Sequence, residues 1–254
     1  MIDTHGGGLF VAKFRGAGQG VKALIAELIV GILARHARLP TPEPALIEIP
    51  DSFGRTEPDP EIQDLLRGSH GVNVGARYLD GAFNFDGNAA AEYITPELAA
   101  RVVWFDAFVS NPDRTHRNPN LMIWERKPYL IDHGAALYAQ HDWPSVDDAR
   151  TRSPFQLVRD HVLLGQSGDI TAADAELAPL MSADTIREAL DSIPDELLTD
   201  ASIQLDFATP KEARDRYARY LTTRAESPRS FVDEAVAAQQ RAAKIPAFRV
   251  SSRR

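Results

Sequence analysis

The sequence contains no cysteine, which excludes disulfide frameworks, thiolate-bound zinc and thiol nucleophiles. It also lacks a long apolar run. The most hydrophobic stretch, ALIAELIVGILA at 23–34, is twelve residues long and is interrupted by Glu27. A membrane-spanning helix takes about 20 apolar residues. The start, MIDTHGGGLF, has none of the basic-then-apolar order of a signal peptide, so the expected location is cytoplasmic. Positive charge is scarce: 28 Lys and Arg stand against 36 Asp and Glu, a net charge of -8. That balance disfavours a nucleic-acid partner held through phosphates, and the basic ending RVSSRR is too short to reverse it. No internal repeat or long low-complexity tract occurs. No HxxxH or HExxH spacing exists to set two imidazoles on one helix face.

What is present is ordinary globular composition. At 254 residues and 44% hydrophobic, the chain can bury a real core as one large domain or two small lobes. The run LFVAKF after HGGG predicts a strand. Leu24, Ile25, Leu28, Ile32 and Leu33 recur at three- and four-residue steps, which predicts an amphipathic helix over 21–38, ended by LPTPEP. ALIEIP and VNVGARYL read as further strands, with a loop and a helical turn around EIQDLL between them. The glycine-bearing stretch DGAFNFDGNAAAEY suits a crossover. Thr95-Pro96-Glu97 opens a strongly apolar helix that stops at Asn111-Pro112, with Trp104, Phe105 and Phe108 in the core. LMIW and YLID follow as two strands around ERKP. Beyond residue 150 the patterns are helical: PFQLVRDHVLL, ADAELAPLM, ADTIREAL, KEARDRYARYLTT and SFVDEAVAAQQRAAK. A strand-rich first third and a helical remainder give an α+β fold with two lobes.

Chemistry concentrates in NPDRTHRNPN (111–120) and YLIDHGAAL (129–137). Taken alone, Asn-Pro-Asp is a helix stop and turn, and Asp132 before Gly134 is a turn acid. Taken together, Asp113 and Asn118 offer one carboxylate and one amide oxygen from a single loop, Asp132 offers a second carboxylate, and the hairpin between them folds the two loops together. Gly134 permits a sharp backbone turn. Phosphoryl transfer requires this set: a carboxylate to orient the attacking hydroxyl and hard oxygen donors for Mg²⁺. Upstream, Glu27 breaks an apolar helix face and needs a partner there; Lys13 is available. His116 and His133 beside the acids suggest a rival His/Asp metal site for hydrolysis. Arg114 and Arg117 either bind phosphate or pair with nearby acids.

The pattern D-x-x-x-x-N, a short hairpin, then an acid followed two residues later by glycine resembles the catalytic and metal-binding loops of protein kinases. In detail, NPDRTHRNPNLMIW and LIDHGAAL resemble HipA-like kinases, in a compact branch, with a more distant likeness to phosphatidylinositol kinases. The resemblance implies a protein-kinase-like two-lobed α+β fold, with a reduced β-rich N-terminal lobe at 1–82 and a mainly helical C-terminal lobe at 83–254. It implies Asp113 as catalytic base, Asn118 and Asp132 as Mg²⁺ ligands, Lys13 on the ATP phosphates with Glu27 as its ion-pair partner, and ARYLDGA (76–82), with Tyr78 and Leu79, as the hinge that meets adenine. The cofactors are then ATP and Mg²⁺, and the acceptor a protein serine or threonine. One departure stands out. Kinases of this kind place two strands and a phosphate-covering loop before the lysine strand, and only about twelve residues precede Lys13 here. The first strand and that loop are expected to be missing, and HGGG to be the turn between the second and third strands. GAGQG at 16–20 follows the lysine, the wrong place for a covering loop. A lipid or small-molecule kinase, or a catalytically weak nucleotide-binding module, shares the same motifs.

Overall fold

The computed structural model describes residues 1–86 and 91–243. Residues 87–90 of the expected crossover and the basic ending RVSSRR lie outside the described residues. The chain opens with a hairpin in which β1 (Ile2–Asp3) turns into β2 (Leu9–Lys13) through Gly7 and Gly8, at φ 90° and 104°. HGGG is thus the turn between two strands. Next come α1 (Gly20–His36), β3 (Pro44–Ile49), α2 (Pro60–Arg67) and β4 (Gly71–Arg77). The four strands form an antiparallel sheet in the order β1-β2-β4-β3, with α1 packed on β3 and β4.

Register decides which side chains reach the site. Val11 pairs with Ala76 and Lys13 with Val74, and directly opposed residues share a face. Val11, Lys13, Val74 and Ala76 therefore face one way and Gly75 the other. Gly75 has no room for a side chain: a Cβ would lie 2.4 Å from Ile47 Cδ1 and 3.0 Å from the Val11 carbonyl oxygen.

A second antiparallel sheet joins β5 (Phe83–Asn84), β6 (Leu121–Trp124) and β7 (Lys127–Leu130). β5, inside the stretch expected to be only a crossover, forms because Phe83 pairs with Ile123. The β6–β7 turn is tighter than ERKP: Glu125 and Arg126 alone make it, both left-handed at φ 47° and 61°, a two-residue loop whose twist matches that of the strands. Pro128 consequently sits in an edge strand, where a missing N–H is tolerated.

Thr95 caps α3 (Pro96–Phe108), accepting from the Leu98 amide at 3.2 Å, as its Thr-Pro-Glu opening predicts. The helical half continues through α4 (Asp148–Thr151), α5 (Ile170–Leu177), α6 (Ala183–Asp191), α7 (Asp195–Leu198), α8 (Ala201–Gln204), α9 (Pro210–Ala225) and α10 (Ser230–Ala243). α5, α9 and α10 pack around α3, and α6 bridges α9 to α1. Trp104, Phe105 and Phe108 are fully buried, with Trp104 and Phe108 stacked at 5.4 Å. The run 154–164 is not the expected helix but two 3-10 turns, Gln156–Asp160 and Leu164–Gln166. The Val162 amide donates to the Arg114 carbonyl at 3.0 Å, and His161 bridges to Thr115, so this backbone is drawn to the 111–120 loop in place of a continuous helical ladder. No described helix is long and apolar enough to cross a membrane.

Candidate active site

β2 brings Lys13 in from the sheet, and α1 brings Glu27 from a helix buried along most of its length. Lys13 Nζ lies 2.7 Å from Glu27 Oε2 and 2.5 Å from Asp132 Oδ1. One ammonium therefore joins the sheet, α1 and the loop after β7. Burial opposes the charge on Lys13, yet Glu27 first and Asp132 with it outweigh burial and raise its pKa. Asp132 itself adopts a left-handed backbone at φ 56°, an uncommon conformation for a non-glycine residue and one that concentrates at functional loops. The left-handed residue is thus the acid, and Gly134 lies in the turn that follows, closed by the Ala136 amide on the His133 carbonyl at 2.9 Å. Gly134 also permits close approach, since a Cβ there would sit 3.3 Å from Lys13 Nζ and 3.5 Å from Ala23.

The 111–120 loop is held from beneath by a buried network. Arg114, 1% exposed, donates through Nε to Asp106 Oδ2 at 2.6 Å and through Nη1 to the Asn120 and Ile131 carbonyls. Arg114 thus pairs with an acid, in the second of its two expected roles; Arg117 is exposed. Asp106 also accepts from Asn111 Nδ2 and His161 Nε2, each at 2.9 Å. With Nε2 donating, His161 accepts from the Leu163 amide through Nδ1 at 3.1 Å. Burial pushes the Asp106 pKa up, but Arg114 and then His161 pull it well below the usual carboxylate range. Neither Asp106 nor His161 was expected from the sequence. The available signal was a carboxylate inside the apolar helix VVWFDAFVS, the same signal that singled out Glu27.

Above this anchor, Asp113 Oδ2 accepts from Asn118 Nδ2 at 2.8 Å and from Asn120 Nδ2 at 3.1 Å. Asn120 is a further site residue that spacing alone does not reveal. Its carbonyl accepts from the Ile131 amide at 3.0 Å, which places the residue before Asp132 against the Asp113 loop. The two loops therefore meet, joined by Asn120 and Arg114. Asn118 spends its amide nitrogen on Asp113, which leaves its carbonyl oxygen open, and Asp132 keeps Oδ2 clear of Lys13. The free donors are hard oxygens, the type Mg²⁺ takes, with only one or two carboxylates among them. The residues fit that ion. The histidine alternative fares worse: His133 turns Nδ1 to Arg114 at 3.5 Å and Nε2 to Thr41 at 3.3 Å, leaving no nitrogen for a metal. Burial pushes its pKa down to about 4. Among the described residues no three His, Asp or Glu side chains gather as a metal site.

Beside this constellation lies a cavity of about 300 Å³. Val11 and Ala76 line it from the sheet, Tyr78 and Leu79 from the segment after β4, Met122 and Ile131 from the second sheet and its exit, and Lys13, Glu27 and Asp132 at one end. The Tyr78 amide is taken by the Leu9 carbonyl at 2.8 Å. Among the described residues no acceptor meets the Leu79 amide.

Comparison with curated proteins gives no match. Among solved structures, the chain is similar to the proinflammatory kinase CtkA of Helicobacter pylori, with 14% identity and a TM-score of 0.51, covering 95% of this chain and 93% of that one. That likeness bears on the fold, a two-lobed α+β architecture of the protein-kinase type. The family model for HipA-like kinases matches residues 3–202, a span that holds Lys13, Glu27, both loops and the cavity lining. The chain belongs to the HipA-like kinase family.

Proposed function

We propose that the chain is an ATP- and Mg²⁺-dependent kinase that phosphorylates serine or threonine hydroxyls of a protein. The observation that carries this reading is Lys13, held between Glu27 and Asp132 at one end of an apolar cavity. Residues 1–82 and 83–254 then act as two lobes with the nucleotide between them. Adenine lies between Val11 and Met122 and accepts from the Leu79 amide, while Tyr78 lines the mouth with its own amide committed to β2. Lys13 meets the phosphates, and Glu27 fixes the direction of its ammonium. Asn118 and Asp132 would hold Mg²⁺, which would supply positive charge against the charge that develops in transfer. Asp113 has one carboxylate oxygen committed to Asn118 and Asn120 and the other available for the acceptor hydroxyl. Its part is to orient that hydroxyl and take up its proton. Positioning and charge stabilisation supply most of the rate, because the transfer asks for little covalent help.

The test is a melting curve with and without Mg-ATP for the native chain and Asp132→Ala. Ligand at a hundred times its dissociation constant adds about 2.7 kcal/mol of stability, and loss of the metal carboxylate should erase most of that gain. Equal gains in both proteins would contradict the role given to Asp132. Radiolabel transfer to protein and to lipid extracts then identifies the acceptor class; label in lipid alone overturns the serine/threonine reading.

A further inference from the structure

Two arginines are buried among the described residues, Arg114 at 1% and Arg224 at 4% exposure. Arg114 has a carboxylate partner in Asp106. Arg224, on α9, has none among the described residues. It donates through Nε to the Phe108 carbonyl at 2.7 Å, through Nη2 to the Ala107 carbonyl at 2.8 Å and through Nη1 to the Thr151 carbonyl at 2.9 Å. Two of these carbonyls lie at the end of α3, whose dipole offsets part of the charge. The rest is unmatched, and a buried charge without a counterion is costly. Nη1 also reaches the Ser153 carbonyl at 3.5 Å, and Ser153 and Arg224 both line a second cavity, of about 110 Å³. Arg150, Ser110 and Tyr220 line it too, and no carboxylate does. The Ser110 and Tyr220 hydroxyls lie 3.0 Å apart; one donates to the other, so the second keeps a hydrogen to give. Arg150 spends Nη1 on Asp142 at 2.9 Å and keeps its other guanidinium donors.

We propose that this cavity is an anion site for the acceptor protein, seating the carboxylate or phosphate ester of a side chain about three residues from the hydroxyl that receives the phosphoryl group. The inference rests on the proposed function. Ser110 stands three residues before Asp113, so their Cα atoms are at most about 11 Å apart, a span that an extended peptide covers with roughly three residues. The cavity shares no lining residue with the nucleotide cavity and is smaller, about 110 Å³ against about 300 Å³. It therefore suits a side-chain head group arriving with the acceptor and not the nucleotide's own phosphates. A net charge of -8 opposes an acidic acceptor at long range, so the site selects by contact, through the guanidinium groups and the spare hydroxyl hydrogen.

The first measurement is the melting midpoint with inorganic phosphate against chloride at equal ionic strength. The readout is the difference between variants, so that phosphate held near Lys13 cancels. Native protein should shift upward, as should Arg187→Gln, which removes another half-exposed arginine paired with an acid but outside the cavity. Arg150→Gln should lose most of the shift. The second measurement is transfer from Mg-ATP to serine peptide pools that fix alanine, aspartate or phosphoserine at one flanking position at a time. One position should favour the anion about tenfold in kcat/KM, the scale of one charge-assisted hydrogen bond, and Arg150→Gln should remove that preference. The aspartate and phosphoserine arms separate carboxylate from phosphate ester. Tyr220→Phe, which takes away one hydroxyl, stands in if Arg150→Gln does not fold and should weaken both readouts. A phosphate shift without any peptide preference marks an adventitious ion only and overturns the inference, as does a shift or preference that Arg150→Gln leaves in place. Should no pool accept phosphate, the serine/threonine reading fails and this inference with it.

Discussion

Replacing Arg114 by methionine removes a guanidinium that is wholly buried and leaves Asp106, equally buried, without its only permanently charged partner among the described residues. Asn111 and His161 remain at 2.9 Å, but each is a neutral donor, since burial holds the His161 pKa down despite the pull of Asp106. Breaking a buried ion pair from one side costs about 3–5 kcal/mol. The Asn120 and Ile131 carbonyls lose a donor at the same time, which places Arg114→Met at the upper end. For a chain of this size each kcal/mol shifts the midpoint by roughly 2–4 °C, so a fall of about 10–20 °C is expected. The companion variant Asp106→Leu with Arg114→Met removes the orphaned charge and should recover about 2 kcal/mol relative to the single change. Urea denaturation of native, both single and the double variants closes the cycle. A cost below about 1 kcal/mol for Arg114→Met, or strict additivity in the double variant, would refute the account of this network as the anchor of the 111–120 loop.

Asp113→Asn should keep nucleotide binding, read as an undiminished Mg-ATP melting shift, while transfer falls by about 10²–10⁴; loss of binding with transfer would place Asp113 elsewhere in the mechanism. Gly75→Ala should cost about 1–3 kcal/mol through overpacking against Ile47 and the Val11 carbonyl, measured as a urea midpoint, and an unchanged midpoint would show that the sheet gives way freely. Acid should loosen the metal-free protein in a defined window. His133 is buried and neutral in the folded state, with its pKa lowered to about 4 by burial, whereas in the unfolded chain it takes a proton near pH 6.5. Its folded pKa is the lower one, so stability is complete above about 6.5 and declines as pH falls toward 4. The decline is roughly 3 kcal/mol at most from this residue, with His161 adding in the same direction. His133→Gln should flatten the profile over that window; an unaltered profile would contradict it.

The site was legible where a residue broke its local pattern. Glu27 interrupts an apolar helix and Lys13 lies on the strand before it; the structure pairs them at 2.7 Å. Asp113, Asn118 and Asp132 stood out by joint spacing, and the structure brings their loops together through Asn120 and Arg114. Asp106 broke its helix in the same way as Glu27, but its partners Arg114 and His161 lie 8 and 55 residues away. No periodicity announces a partner at the longer of those separations. Residues 154–164 carry a helical pattern and still form 3-10 turns, because tertiary bonding to the Arg114 carbonyl outweighs propensity. Gly134 was read as a turn residue and does lie in a turn, but what requires glycine there is the space left by Lys13 and Ala23 and not a left-handed φ. A glycine required for φ and one required for space look the same in one dimension.

The division between buried anchors and open functional atoms explains how such a site tolerates strain. Asp132 is left-handed at φ 56° and its side chain remains 42% exposed, yet the residue before it is tied to Asn120 and the one after it is buried against Arg114 and Thr41. Strain persists where surroundings over-determine it, and here both flanks do. The same logic separates the two acids on Lys13. Glu27 is almost wholly buried at 7% side-chain exposure and needs the ammonium permanently; Asp132 faces the cavity and can exchange the ammonium for another cation at little desolvation cost. On the proposed function, Asp132 is therefore the acid that would turn from Lys13 toward a metal ion while Glu27 stays paired, so Glu27 alone would keep the lysine aimed at the phosphates.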